Sequence, residues 1–275
     1  MTTSNTQHPT PNTQVWDLCS WTLVFGRWAS GVLALAGLCC CAGCLEISQV
    51  MSIRKDGSGN IEFAYILPDN TSAQMKAMDA LKKEMIKAAG ETYEPRPVDR
   101  HFELFMDPTD AAVRDLMKTY EPYGIALERF KIEVLEGRKR IRLHLRFANL
   151  AKAAESDLFR LHWPTTLVRQ ANGSYRLNVT NGWPSEEPDL DFSDPATLKA
   201  ITPILKDFKA TIRINTPGEI VSAGTPNAGK HSAVWAFSFN EDPRAFSAFR
   251  TANMSIRFHG DGLTLPEIKP TAKTP

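Results

Sequence analysis

From Leu45 onward apolar positions recur with a period of two: Leu45, Ile47, Met51 and Ile53, with Gln49 in the same register. After Asp56-Gly57-Ser58-Gly59 the alternation resumes through Ile61, Phe63, Tyr65 and Leu67. A period of two puts successive side chains on opposite faces of a strand, so two such runs about an Asp-Gly turn predict a β-hairpin. Over residues 72–89 the spacing becomes helical. Met75, Met78, Leu81, Met85 and Ala89 then form one stripe, with Lys76, Lys82, Lys83 and Lys87 off it. Thr71 or Ser72 can cap this helix and Gly90 can stop it.

Further along, His101 to Met106 reads as a strand, and Asp107-Pro108-Thr109-Asp110 carries the cap, proline and acid of a helix start. That helix would bury Val113, Leu116, Met117 and Tyr120. The clearest hairpin joins Gly124–Leu135 to Lys139–Phe147, turning at Glu136-Gly137-Arg138. A short helix follows over 149–159, then a hairpin of Thr165–Gln170 and Tyr175–Val179 around Asn172-Gly173. Asp194-Pro195 opens a helix carrying Leu198, Ile201 and Leu205, which Pro203 should kink. The last block reads as strand throughout: 209–215, 220–222, 234–239 and 253–258.

Strands grouped in hairpins with helices between them predict an α+β fold, an antiparallel sheet with helices packed on it. The expected organisation is an N-terminal extension and signal peptide over 1–43, one domain over 44–260 and a disordered Pro-containing tail over 261–275.

All five cysteines, Cys19, Cys39, Cys40, Cys41 and Cys44, precede the first strand. Arg27, the short apolar run Trp28–Leu38 and the small residues Ala42 and Gly43 are the parts of a secretory signal. A helix spanning the bilayer needs about 20 apolar residues, and reaching that length here would place Arg27 inside it. Ala42-Gly43-Cys44 matches the small-small-Cys end of a lipoprotein cleavage site, although Cys41 stands where an aliphatic residue is usual. Cys44 is therefore the expected acylation site, with an uncleaved signal anchor as the alternative. Residues 1–22 suit neither a signal nor a core, and translation starting near Leu23 or Val24 would give an ordinary leader.

Beyond Cys44 there is no thiol for a disulfide, a thiolate metal site or a nucleophile. With 32 basic and 31 acidic residues interspersed, the chain has no electrostatic footprint for nucleic acid. Gly224-Thr225-Pro226-Asn227-Ala228-Gly229-Lys230-His231-Ser232 approaches a phosphate-binding loop. His231 replaces the Ser or Thr that follows the lysine, and the next residues read as a strand rather than a helix. A hairpin loop is the better reading, with no nucleotide bound. Asp189, Asp191, Ser193 and Asp194 crowd acids without calcium-loop spacing. His101, His144, His162, His231 and His259 lie far apart in the sequence, with no ligand or nucleophile motif. No cofactor, metal site or catalytic residue is expected.

Gly43-Cys44-Leu45-Glu46 followed by a strand and Lys55-Asp56-Gly57-Ser58-Gly59 resembles the start of many bacterial envelope lipoproteins. Thr216-Pro217-Gly218-Glu219-Ile220-Val221-Ser222-Ala223 with Ser232-Ala233-Val234-Trp235-Ala236-Phe237 resembles the LppM-like lipoprotein domain. This resemblance implies an α+β domain tethered to the membrane, with a suspected lipid-binding role and no catalytic residues. The chain departs from the family in showing no C-terminal transmembrane segment.

Taken together, the residues predict a non-enzymatic envelope lipoprotein that binds a lipid or amphipathic ligand. Met75, Met78 and Met85 are the candidate ligand face, because methionine adapts to irregular apolar surfaces. The alternatives are a structural assembly factor that binds another envelope protein, and an envelope hydrolase with histidines brought together from distant segments. Leu45 directly after Cys44 favours the periplasmic face of the outer membrane in a two-membrane host.

Overall fold

The computed structural model describes residues 45–88, 97–182 and 207–269, with isolated positions between them. Among these residues are ten strands in two sheets and six helices, so the fold is α+β. The first sheet has six strands: β1 (Glu46–Ile53), β2 (Gly59–Pro68), β3 (Ile125–Leu135), β4 (Arg138–Phe147), β7 (Lys209–Asn215) and β9 (Ser232–Ser238), in the order β3-β4-β2-β1-β7-β9. All neighbours are antiparallel except β1 and β7, which run parallel. The second sheet is wholly antiparallel, with β5 (Thr165–Arg169), β6 (Tyr175–Thr180), β10 (Asn253–Phe258) and β8 (Ile220–Ala223) in the order β5-β6-β10-β8.

Alternation decides which faces are buried. Ile47, Gln49, Met51 and Ile53 of β1 point inward beside Ile61, Tyr65 and Leu67 of β2 and Ala210, Ile212 and Ile214 of β7. From the second sheet Leu167, Leu177, Val179, Met254, Ile256 and Phe258 enter the same contiguous core. Gln49 is the polar member of this set, and its carbonyl oxygen accepts a hydrogen bond from Trp163 Nε1 at 3.3 Å. A buried amide left without a partner would be costly, so this bond lets the polar side chain stay inside.

The turns use the residues their geometry requires. Leu135 pairs with Arg138, leaving Glu136 and Gly137 as a two-residue loop with φ of 52° and 70°. Two left-handed residues in that position are the signature of the tight hairpin turn whose twist matches the strands. In the first hairpin Gly59 is packed so closely that a Cβ would stand 2.1 Å from the Ser52 carbonyl oxygen and 2.4 Å from the Phe147 ring.

The helices are α1 (Asp69–Ala88), α2 (Pro97–Met106), α3 (Asp110–Lys118), α4 (Leu150–Ala154), α5 (Asp157–His162) and α6 (Ala245–Arg250). Thr109 caps α3 by accepting from Ala112 N, and Val113, Met117 and Tyr120 face the core as their spacing predicts. Ser156 breaks the segment expected as one helix into α4 and α5. It bonds the Ala153 carbonyl and accepts from Phe159 N, so it ends one helix and starts the next.

Four expectations need correction. Residues 101–106 are helix, not strand: Pro97 starts α2 and the chain places His101 and Met106 inward. The final block is not all strand, since α6 intervenes, with Ala245 and Phe249 buried. The loop 224–231 does not join a hairpin, because β8 belongs to the second sheet and β9 to the first. The tail from Asp261 is packed as far as residue 269. Leu263 and Leu265 are buried, and Ile268 exchanges both backbone hydrogen bonds with Leu167. Three spaced apolar residues anchor that segment despite its prolines; residues 270–275 lie outside the described set. So does most of the helix expected from Asp194, along with Asp189, Asp191 and Ser193.

Replacing Gly59 with Ala should destabilise the protein by about 1–3 kcal/mol, because the clash is with backbone and an aromatic core ring. Val134→Ala, at a side chain 65 % exposed, should stay within about 0.5 kcal/mol. Urea unfolding of the two variants measures the contrast.

Candidate functional site

Three side chains from separate elements meet where α2, α5 and the end of α3 converge. His101 Nδ1 and His162 Nε2 share a hydrogen bond of 2.8 Å, and His101 Nε2 and Tyr120 Oη share one of 2.6 Å. His101 and Tyr120 are buried, whereas His162 keeps part of its surface in solvent. The helices fix the positions. Tyr65 Oη donates to the Phe105 carbonyl and stacks on that ring at 4.3 Å, while Ser72 Oγ donates to the Met106 carbonyl, so the end of α2 is tied to β2 and α1.

Burial pulls His162 down from the usual 6.5 to about 3, with His101 as the second cause. Burial also lowers His101, against the attraction of Asp157. The Tyr120 phenol is pushed up to about 12, chiefly by burial. At neutral pH both imidazoles are therefore uncharged, and two proton arrangements satisfy the chain. Either Tyr120 donates to His101, which donates to His162, or every donor reverses. One added proton is tolerated, because a charged His101 can donate to both neighbours at once. A second would force two cations together, so the pair titrates as a unit.

The nitrogens of His101 and His162 face each other at hydrogen-bond distance, closer than the roughly 3.3 Å expected of two nitrogen ligands on one tetrahedral zinc. Among the described residues no group of three metal-ligating side chains occurs. The nearby serines are committed elsewhere: Ser72 to the Met106 carbonyl and Ser156 to its helix cap. What this cluster does is fasten the three segments to one another, with Tyr120 as its hydroxyl member. Position in the sequence concealed it, since His101 and His162 are separated by 61 residues.

Cys44 lies outside the described residues, and so do the side chains of Met75, Met78 and Met85, although their backbone is in α1. Leu81 of the same stripe is 47 % exposed, so the stripe is not uniformly inward. His144 Nε2 lies 3.4 Å from Glu62 Oε2 across the β2–β4 pair, at the surface. In the loop resembling a phosphate-binding motif, Val234 N donates to the Asn227 carbonyl and Gly229 N to the Ser232 carbonyl; strand β9 follows, with no helix N-terminus for an anion. Between the sheets, Gln49, Trp163, Val179 and Ile212 surround a cavity of about 10 Å³, room for about one water. An acyl chain does not fit there.

No family model matches the sequence, and no curated protein matches it. Among solved structures, the chain is similar to the folded domain of the Mycobacterium tuberculosis LppM protein, determined by NMR. Identity is 12 %, the match covers 78 % of this chain and 89 % of that one, and the TM-score is 0.35. The resemblance is weak.

The paired histidines make stability depend on pH. Below 6.5 the unfolded chain binds protons that folded His101 and His162 resist, so this contribution is complete above about pH 6.5 and is lost as pH falls toward 3. His162→Asn, which cannot ionise in this range, should flatten the slope of unfolding free energy between pH 6.5 and 4. Parallel curves for variant and parent would show that the pair is not the source.

Proposed function

We propose that the chain is a lipid-anchored protein of the bacterial cell envelope, non-enzymatic, whose folded domain is a binding module held with one end of its six-stranded sheet toward the bilayer. The observation that carries this reading is the register around β1. One row across the sheet runs Glu133, Arg140, Ile66, Glu46, Lys209 and Ser238. Leu45, joined directly to Cys44, lies past this row on the side where the β3–β4 turn projects. The strand ends flanking that turn carry Val134, 65 % exposed, and exposed Arg138 and Arg140. With strands about 4.8 Å apart, β4 lies only about 10 Å from β1, so an acylated Cys44 and this end of the hairpin, with Val134, Arg138 and Arg140 beside the Glu136-Gly137 tip, would meet one membrane surface. Lipid chains hold the end, and arginines beside anionic headgroups would add about 1 kcal/mol each.

Among the described residues no helix is long and apolar enough to cross a membrane. The filled space between the sheets favours recognition at the protein surface over an enclosed lipid. The outer-membrane assignment rests on Leu45 following Cys44 and extends the same proposal.

Cys44→Ser should abolish incorporation of labelled palmitate and move the protein out of the acylated membrane fraction. Retention of label would contradict acylation at Cys44. In the acylated protein, Val134→Asp should weaken association of the turn with the bilayer, read as lost quenching by brominated lipid of a probe attached at Glu136.

A further inference from the structure

The outward face of the second sheet is chemically one-sided. Strands β5, β6, β8 and β10 contain three arginines and no aspartate or glutamate, whereas several cations elsewhere in the fold pair with acids: Lys76 with Asp107, Lys83 with Glu103, Lys131 with Glu133. On this face Arg257 of β10 stands directly opposite Arg176 of β6. Like charges placed directly across a strand pair oppose folding, so the arrangement works against the sheet unless something neutralises it. Neither arginine has an ion-pair partner among the described residues, and Arg257 Nε is shielded from solvent without a hydrogen-bond acceptor. The other such nitrogen, Arg250 Nε, belongs to a guanidinium lying 5.9 Å from the centre of the Phe246 ring. Among the described residues Arg257 has no comparable ring contact.

Around the two guanidinium groups is an open groove of about 320 Å³, lined by Arg176, Ser222, Ala223, Gly224, Ser255 and Arg257. Ser222 is the strand partner of Arg257, and Ser255 precedes it on the same face. The wall is fixed: Gly224 N donates to the Ser255 carbonyl at 2.8 Å, and Trp235 Nε1 donates to the Gly224 carbonyl at 3.2 Å. Small residues keep the groove open, while guanidinium groups and serine hydroxyls supply donors.

We propose that this groove binds a phosphate group, gripped by Arg176 and Arg257 and oriented by Ser222 and Ser255. Guanidinium is a donor without acceptors, and its planar fork suits phosphate oxygens bidentately. Two forks side by side match an anion with several oxygens better than a single carboxylate. The volume leaves room for part of the molecule that carries the phosphate. This site is independent of acylation at Cys44, because it lies on the other sheet, and the donor of the phosphate is either a soluble phosphoester or a lipid headgroup.

The test uses the full chain in neutral detergent micelles with its arginines labelled at Nε. One arm titrates inorganic phosphate, and the other titrates phosphatidylglycerol into the micelles. The Arg257 Nε resonance should shift and saturate in at least one arm. Arg176→Gln should weaken that binding at least tenfold, and Arg138→Gln, on the first sheet, should not change it. Without the anion, Arg176→Gln should unfold at the same urea concentration as the parent or higher, since it removes a repulsion rather than a structural contact. Saturation with phosphate alone identifies a soluble source; saturation only with the lipid identifies a headgroup. Failure of the Arg257 signal to saturate in either arm, or unchanged binding in Arg176→Gln, would overturn the site. Neither result would bear on palmitate labelling at Cys44.

Discussion

Strand β1 is hydrogen-bonded along both edges, antiparallel to β2 and parallel to β7, and the two pairings have very different origins. The first is closed by a short turn in which Asp56 accepts from Ser58 N and Oγ. The second joins residues more than 150 positions apart, as the Ser52–Asn215 side-chain bond illustrates with its separation of 163. Without β1 the six-stranded sheet would separate into β3-β4-β2 and β7-β9, and the second sheet would lose the surface against which Trp163 and Val179 pack. Long-range parallel pairing is entropically costly to form, because a long loop must close before its contacts reward it. The first described strand thus lies at the centre of its sheet, beside β2.

That placement constrains the anchor. A strand bonded on both sides has little freedom to tilt or withdraw, and Leu45 itself is tied to the sheet through its carbonyl, which accepts from Lys209 N. An acyl group on Cys44 would set the orientation of the domain as well as its location. A flexible linker would leave orientation free, but Glu46 already pairs with Ile66 and Lys209. The domain would then present its two sheets differently: one end of the first near the bilayer, and the arginine face of the second outward from the core. The His101–His162–Tyr120 chain serves a third purpose, fastening α2 to α5 and α3 through hydrogen bonds that a second proton on the imidazole pair would break.

Much of the fold was legible because strand burial here follows strict alternation. Residues 45–67 and 124–147 reveal their pairing through period and turn chemistry alone, and the bounds 209–215 and 253–258 match the strands residue for residue. Failure came where local pattern and tertiary context diverge. His-Phe-Glu-Leu-Phe-Met at 101–106 alternates weakly like a strand, yet Pro97 and the contacts of Tyr65 and Ser72 make it a helix. Assignment of strands to two sheets could not be read from periodicity, since either sheet buries alternate residues. The site features share this limit. Arg176 and Arg257 look like ordinary outward strand residues until the β6–β10 register sets them opposite each other. The available hint was compositional, four strands without a single acid.

On the proposed reading, Cys44 is the covalent link between membrane and sheet. Intact-mass measurement of the protein extracted from membranes tests it most directly. The expected species is a chain beginning at Cys44 and carrying a diacylglyceryl modification at its thiol. A species that retains residues before Cys44, or that starts there with an unmodified thiol, would contradict it.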